Sequence, residues 1–219
     1  MTMHKSILLA LVTASLATTI AVMYLVITSP RRSLDRFLAQ VATVEIGKTR
    51  FEDWRTQVER AQHSKVNVVC DLRKCGIGWN GENRLLSKLH LAPRTAADVS
   101  VGFEDGIASD IFIILSVAKH DEKGNWWDDK TAVVHQHVTG NPLACSQDYG
   151  INVQNRYGVG ERNRAIVAMG SCVSPENRSK ALAINTSCLT RIGGCKTVES
   201  MLPQVFAHPE TSPSQPADK

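Results

Sequence analysis

An uncharged run near the N-terminus, Ser6 to Ser29, constrains this chain more than any other feature. As an α-helix it would be roughly 36 Å long, whereas the hydrocarbon core of a bilayer is about 30 Å thick. The run is also longer than the apolar region of a cleaved signal peptide. We therefore predict a short tail at 1–5 and a retained transmembrane helix at 6–29, with the lipid bilayer as its partner.

Small residues recur along this predicted helix. They are spaced by four, three and four positions, which places them on one face where two helices could approach closely: Ala10, Ala14, Ala17 and Ala21. Alanine is also common in membrane helices without any contact. A homodimer formed through this helix is therefore one hypothesis, and a neutral lipid-facing stripe is the other.

The chain has 219 residues, which leaves enough sequence after the helix for one domain with a real core. We assign this domain to 30–207 and a disordered tail to 208–219; a division of the domain into two lobes, 30–120 and 121–207, is the alternative. Lys and Arg number 25 against 21 Asp and Glu. This near balance, spread over the chain, excludes the basic footprint of a nucleic-acid-binding protein.

All six cysteines follow the predicted membrane helix: Cys70, Cys75, Cys145, Cys172, Cys188 and Cys195. An even number in such a domain is typical of disulfides formed in an oxidising compartment. Spacing favours the most local pairing, 70 with 75 and 188 with 195, which leaves 145 with 172; other pairings stay open. Zinc binding is the competing interpretation, although the 188–195 spacing does not match the usual structural zinc sites.

Charge and cysteine content disagree about the orientation in the membrane. Positive residues favour the cytoplasmic side, and the C-terminal flank of the apolar run carries Arg31, Arg32 and Arg36 against Lys5 at the other flank. The cysteines favour export. We predict an inner-membrane protein with a periplasmic domain; the alternative is a cytoplasm-facing domain with free thiols or zinc.

Two helices are predicted between the membrane segment and the first strand. Apolar residues from Leu34 to Val41 follow a helical period after Pro30, with Ser33 as a candidate N-cap. Thr49 and Glu52 have the spacing of a capping box, which predicts a helix over about 50–62.

Alternating apolar residues dominate from 65 onward and predict strands. The clearest signal is Asp105-Gly106 between two such runs, which is typical of a β-hairpin. Segments 150–156, 164–172 and 179–188 also have the pattern of strands, 83–93 fits either a helix or a strand, and 196–203 fits a helix. The predicted fold class is α+β: an N-terminal transmembrane helix, then an antiparallel-sheet domain with a few helices and disulfides.

Two pairs of residues are candidate sites. His135 and His137 alternate on a predicted strand, so both rings would share one face, where a metal ion could bridge them; two histidines on an exposed strand face are the simpler interpretation. Trp126 and Trp127 precede that strand in a charged segment and could form a stacking platform for a ligand. One of them facing the core is the alternative.

No motif for a nucleophile elbow, a zinc protease, a Walker loop or a dinucleotide site is present in the sequence. We therefore assign no catalytic residue and no cofactor. The sequence favours binding over catalysis.

Several segments carry a resemblance to known proteins: VEIGKTRFEDW, CDLRKC, LHLAP, FEDG and CLTRIGGC. Together with the membrane anchor they resemble uncharacterised membrane-anchored exported bacterial proteins. Residues 44–118 are also distantly similar to the helix-plus-three-strand modules of outer-membrane assembly lipoproteins and β-lactamase inhibitor proteins. Those modules bind proteins, so the resemblance implies a cell-envelope protein-interaction module; an exported metal-dependent or hydrolytic enzyme is the alternative function.

Overall fold

The computed structural model describes residues 2–62, 66–120, 126–138, 146–154 and 163–207. The helices are α1 (Thr2–Val41), α2 (Phe51–Gln62), α3 (Arg84–Lys88), α4 (Pro175–Leu182), α5 (Val198–Met201) and α6 (Pro203–Phe206), with a 3₁₀ turn at Thr186–Leu189. The strands are β1 (Asn67–Asp71), β2 (Lys74–Glu82), β3 (Arg94–Glu104), β4 (Ile107–His120), β5 (Trp126–His137), β6 (Tyr149–Gln154) and β7 (Arg164–Met169). The predicted α+β fold class is confirmed. The predicted tail, 208–219, lies outside the described residues.

Helix α1 is continuous through Pro30, whereas the sequence predicted that the apolar helix would stop there. A proline inside a helix removes one backbone hydrogen bond. The surroundings of the helix on each side of Pro30 compensate for this loss. The apolar residues before it are exposed and form a span that could cross a membrane by length and composition. The residues after it pack into the folded domain, so both halves favour helix.

Seven strands form one sheet in the order β1-β2-β3-β4-β5-β7-β6. All neighbours are antiparallel except β5 and β7, which are parallel. The long β3–β4 hairpin turns at Asp105 and Gly106, whose φ angles are 50° and 78°. Two consecutive positive φ angles define the tight turn expected of Asp-Gly, so this hairpin prediction is confirmed.

One segment predicted as a strand is wrong: residues 179–188 form the end of α4 and the 3₁₀ turn. Ser174 caps α4 by accepting a hydrogen bond from the Asn177 N–H, and Pro175 occupies the first helical turn. This local start signal overrides the apolar alternation that suggested a strand. The ambiguous segment 83–93 contains the short helix α3 (Arg84–Lys88) and the turn that follows it.

A single aromatic cluster joins the first two helices to the sheet. The rings of Phe37 (α1) and Trp54 (α2) lie 6.0 Å apart, and Trp54 lies 5.8 Å from Phe103 on β3. Leu34, Phe37 and Val41 are completely buried. The last third of α1 is therefore part of the domain core, and its predicted amphipathic pattern is confirmed.

Ser33 also has a different role from the predicted N-cap. Its Oγ accepts a hydrogen bond from the Trp79 indole Nε1–H at 2.8 Å, and both residues are buried. Thr49 likewise differs from the predicted N-cap: α2 begins at Phe51, so position 50 precedes the helix, and the Thr49 Oγ1 accepts from the Glu45 N–H at 2.8 Å. Buried indole N–H groups need a partner, so the Ser33 bond fixes α1 against β2.

Two disulfides join cysteines that are close in sequence, as the spacing predicts. Cys70 and Cys75 are direct partners across the β1–β2 hairpin, and Cys188 bonds Cys195 around a short loop. Cys172 is also disulfide-bonded, and its predicted partner Cys145 lies outside the described residues.

Arg178 on α4 holds the end of α1 in place. Its guanidinium donates to the carbonyl oxygens of Val41 (3.2 Å), Ala42 (2.8 Å) and Val44 (2.8 Å), and to Gln136 Oε1 (2.9 Å). Carbonyl groups at a helix C-terminus lack partners within the helix. Arg178 supplies those partners and links α1, α4 and β5 at one point.

We expect Arg178→Met to lower the free energy of unfolding of the full chain by about 3 kcal/mol, because several half-buried acceptors lose a charged donor together. The measurement is chemical unfolding in detergent micelles. Lys180→Met, two residues along α4, is the matched control: Lys180 pairs with Glu176 on the same helix surface, so its replacement should have little effect. Equal stability of the two variants would contradict the assigned role of Arg178.

Candidate binding face

The sheet buries one face and leaves the other open. The continuous core contains alternate residues of the strands together with the helices, and all of those strand residues belong to the same face. The opposite face carries the intervening residues, which are half-buried or exposed over most of its area. We call its central part the open face; it comprises Gly76, Gly78, Ser100, Gly102, Asp110, Phe112, His135 and His137.

The open face has a floor of small residues on β2 and β3. In the strand register Gly78 pairs with Ser100, and Gly76 pairs with Gly102. A Cβ added at Gly76 would meet nothing closer than the Val69 carbonyl oxygen at 4.0 Å, so the space above it is open. Glycine in a strand interior is typical of a place where another backbone or a ligand approaches closely.

Aromatic rings border this floor on β4 and β5. Phe112 pairs with Ser100 on one side and with His135 on the other, so the row runs from glycine to aromatic across four strands. The Phe112 and His135 rings meet edge to face with centroids 5.6 Å apart. Phe112 is 38% exposed, so part of its ring is accessible to a partner.

The two histidines share this face, as their alternation predicts. Their rings are stacked with centroids 5.1 Å apart and planes 24° from parallel. Asp110 pairs with His137 in the register, and its carboxylate lies over Gly102, where a Cβ would clash with both oxygens. A Cβ at position 102 would therefore displace the Asp110 carboxylate from its present position.

Burial lowers the pKa of His135 below its usual value of 6.5, and the neighbouring His137 adds to this effect, while the Asp110 carboxylate opposes it. Neutral His135 is thus the form that the folded protein favours near pH 7. A neutral imidazole presents one donor and one acceptor to a partner.

The predicted metal site at His135 and His137 stays a prediction. Within the described ranges, no three His, Cys, Asp or Glu side chains are grouped so that they could hold a metal ion. The stacked arrangement of the two rings does place both on one accessible surface.

The predicted Trp126 and Trp127 platform also stays a prediction. Their backbone forms the start of β5, opposite His120 and Lys119 of β4. The side chains of both tryptophans lie outside the described part of the protein.

A cleft of about 840 Å³ lies between the end of α1 and α4, lined by Glu45, Lys48 and Arg178 among others. Burial lowers the pKa of Arg178, which nevertheless stays protonated at neutral pH. Four donor contacts of its guanidinium go to protein acceptors, as described above. We therefore assign Arg178 to structural support of α1.

Sequence reasoning missed the glycine floor. Its signal was present as Gly76 and Gly78 two positions apart in CGIGW, with Ser100 and Gly102 two apart in VSVG. Such spacing places the small residues on one strand face. Only the register of β2 against β3 shows that the two sets coincide.

The lowered pKa of His135 predicts a pH dependence of stability. Because the pKa is lower in the folded than in the unfolded state, the unfolded state binds more protons between the two values. The stability from neutral His135 is therefore complete above about pH 6.5 and is lost as the pH falls through the lowered folded value. His135→Gln should weaken this dependence, measured as thermal unfolding between about pH 8 and pH 5.

The control for this experiment is His90→Asn, on an exposed turn where His90 has a φ of 54°. Asparagine tolerates that conformation better than most residues. This variant should keep the pH dependence of the wild type. If the unfolding temperature of His135→Gln changes with pH as steeply as that of the wild type, His135 is not the source of the pH dependence.

Comparisons with protein-family models, with curated proteins and with solved structures found no match for this chain. The resemblances inferred from its sequence motifs therefore stay predictions.

Proposed function

We propose that this protein is a single-pass, membrane-anchored binding module whose open face recognises a polypeptide partner in the cell envelope. Helix α1 supports the anchor, because its exposed apolar part has the length and composition to span a membrane. The disulfides support an oxidising compartment. In this proposal the anchor lies in the inner membrane and the domain in the periplasm.

The observation that carries the proposal is the glycine floor beside Phe112 on the open face. A protein interface needs a surface that a partner can approach closely and an aromatic residue that the partner can bury. Gly76 and Gly78 supply the first, and Phe112 with His135 supplies the second. Ile114 and Ile166, both half-buried, lie on the same face on either side of the buried Val133.

The charges on the open face indicate the chemistry of the partner. Asp110 places a carboxylate on this face, over Gly102, and burial lowers the pKa of His135, which favours its neutral form. A segment with apolar side chains for Phe112 and a Lys or Arg for Asp110 would be complementary. Small-molecule sites are typically concave, and a cleft on this side of the sheet is lined by Asp98, Ile114 and Ser116, whereas the glycine floor is not part of that lining.

The test places a photo-crosslinking amino acid at position 112 of the full chain in its native membrane. The control position is 56 on α2, where Thr56 is exposed on the opposite side of the sheet. We expect one polypeptide adduct from position 112 that is absent from position 56. The crosslinked polypeptide should then be identified and purified, and its affinity for the full chain should be measured.

Gly78→Arg should reduce this adduct and the measured affinity at least about tenfold. The long side chain would cover the glycine floor and prevent the partner from approaching it. The substitution is compatible with the strand, since a Cβ at Gly78 has only ordinary contacts, 3.4 Å from the Val99 carbonyl oxygen and 3.7 Å from Ser100 Cβ. Thr56→Arg adds the same charge on the helical side and should have no effect. Identical adducts at both positions, or an adduct that survives Gly78→Arg, would refute the proposed surface.

A further inference from the structure

A second surface lies where α1 leaves the domain. Pro30 borders the same cleft as Trp79, Arg84 and Arg94, and Ser33 bonds Trp79 near the end of β2. The exposed apolar part of α1 therefore departs from the end of the sheet where β2 ends and β3 begins. The β2–β3 connection, which contains α3, lies at this end.

Apolar side chains of two loops are exposed at this end. Leu89 is 45% exposed, Leu91 is 44% exposed and Ile192 is 72% exposed. The two loops are in contact, because the Gly193 N–H donates to the Leu91 carbonyl oxygen at 3.1 Å. The Cys188–Cys195 disulfide closes the loop that presents Ile192.

Basic side chains surround these apolar ones. We define the anchor-side surface by its apolar and basic members together: Arg84, Lys88, Leu89, Leu91, Arg191 and Ile192. Segments 83–97 and 177–198 contain no acidic residue. Lys88 and Arg191 have no carboxylate partner among the described residues, so their charges are available to a ligand.

Two of the carboxylates described at this end of the sheet, Glu82 and Asp129, are paired with basic side chains, and a third, Asp98, lines the cleft beside Pro30. Arg84 and Arg94 both bond Glu82 and help to hold its pKa below the usual value, against the effect of burial. Asp129 is paired with Lys119 and Lys130. The anchor-side surface therefore keeps a net positive charge.

The helix itself carries a marker of the membrane interface. The Arg32 guanidinium lies over the Tyr24 ring, 5.8 Å from its centroid. Tyrosine and arginine at the end of an apolar helix are typical of the headgroup region of a bilayer. This pair is separated from Pro30 by less than two helical turns, so the headgroup region would lie beside the anchor-side surface.

We propose that the anchor-side surface rests on the membrane, with Leu89, Leu91 and Ile192 inserted among the headgroups and Lys88 and Arg191 bound to anionic lipid phosphates. Apolar side chains ringed by basic ones are the usual composition of an interfacial membrane contact. This inference rests on the proposed membrane anchorage. It is independent of the partner proposed for the open face.

The experiment uses the full chain reconstituted in vesicles of phosphatidylcholine and phosphatidylglycerol, with lipids brominated near the headgroup as quenchers. A fluorescent amino acid is placed at position 192, 91 or 72. Leu72 is the matched control, since it is a fully exposed leucine at the β1–β2 turn, the other end of β2. We expect strong quenching at 192 and 91, and none at 72.

The charged contacts are tested with the double variant Lys88→Gln, Arg191→Gln. Each basic residue near an anionic surface shifts the ratio of docked to undocked molecules about fivefold, so quenching at 192 should fall markedly in this variant. It should also be weaker in vesicles of phosphatidylcholine alone. Unchanged quenching in both conditions would overturn the assignment of Lys88 and Arg191 to lipid phosphates.

A fluorescent amino acid at position 20 separates the two proposals. Quenching by lipids brominated deep in the acyl chains at 20, without headgroup quenching at 192, would overturn the surface contact and leave the anchor intact. No quenching at 20 would overturn the anchorage and the surface contact together. Equal quenching at 192 and 72 would also overturn the inference, because both ends of the domain would then contact the bilayer equally.

Discussion

The packing of the last third of α1 against the sheet is the interaction on which the rest of this structure depends. Leu34, Phe37 and Val41 are completely buried in the same core as Trp54 and Phe103. The helix that could enter the membrane is therefore also a core element of the domain. Because no linker separates them, the orientation of the domain relative to the bilayer follows from the direction of one helix.

This one-sided packing also explains why the opposite face of the sheet is open. The core contains the helices and one face of the strands, and small residues at Gly76, Gly78 and Ser100 keep the other face shallow. A bare sheet face is costly when it is strongly apolar, since it promotes aggregation. Here glycine, serine and Asp110 reduce its apolar character around Phe112, which is compatible with the proposed binding role.

Local signals allowed much of the fold to be predicted. Asp105-Gly106 and the alternation around it specified the central hairpin, and the spacing of Cys70 and Cys75 specified a bonded pair in β1–β2. Prediction failed at two places for different reasons. Helix α1 continues through Pro30 because the residues after it pack into the domain core. The segment 179–188 is not a strand because a local signal, the Ser174 cap with Pro175, starts α4. The site was predicted only in part: the shared face of His135 and His137 follows from alternation, but the glycine floor depends on interstrand register.

The state of the six cysteines tests the account most directly, because it reports the compartment in which the domain folds. Membranes containing the full chain would be quenched with acid, denatured without a reductant and treated with an alkylating reagent, and the intact mass would then be measured. An exported disulfide-bonded domain predicts that no cysteine is alkylated. Alkylation of all six would contradict it and would place the domain in the cytoplasm, in agreement with the arginines that flank the apolar helix.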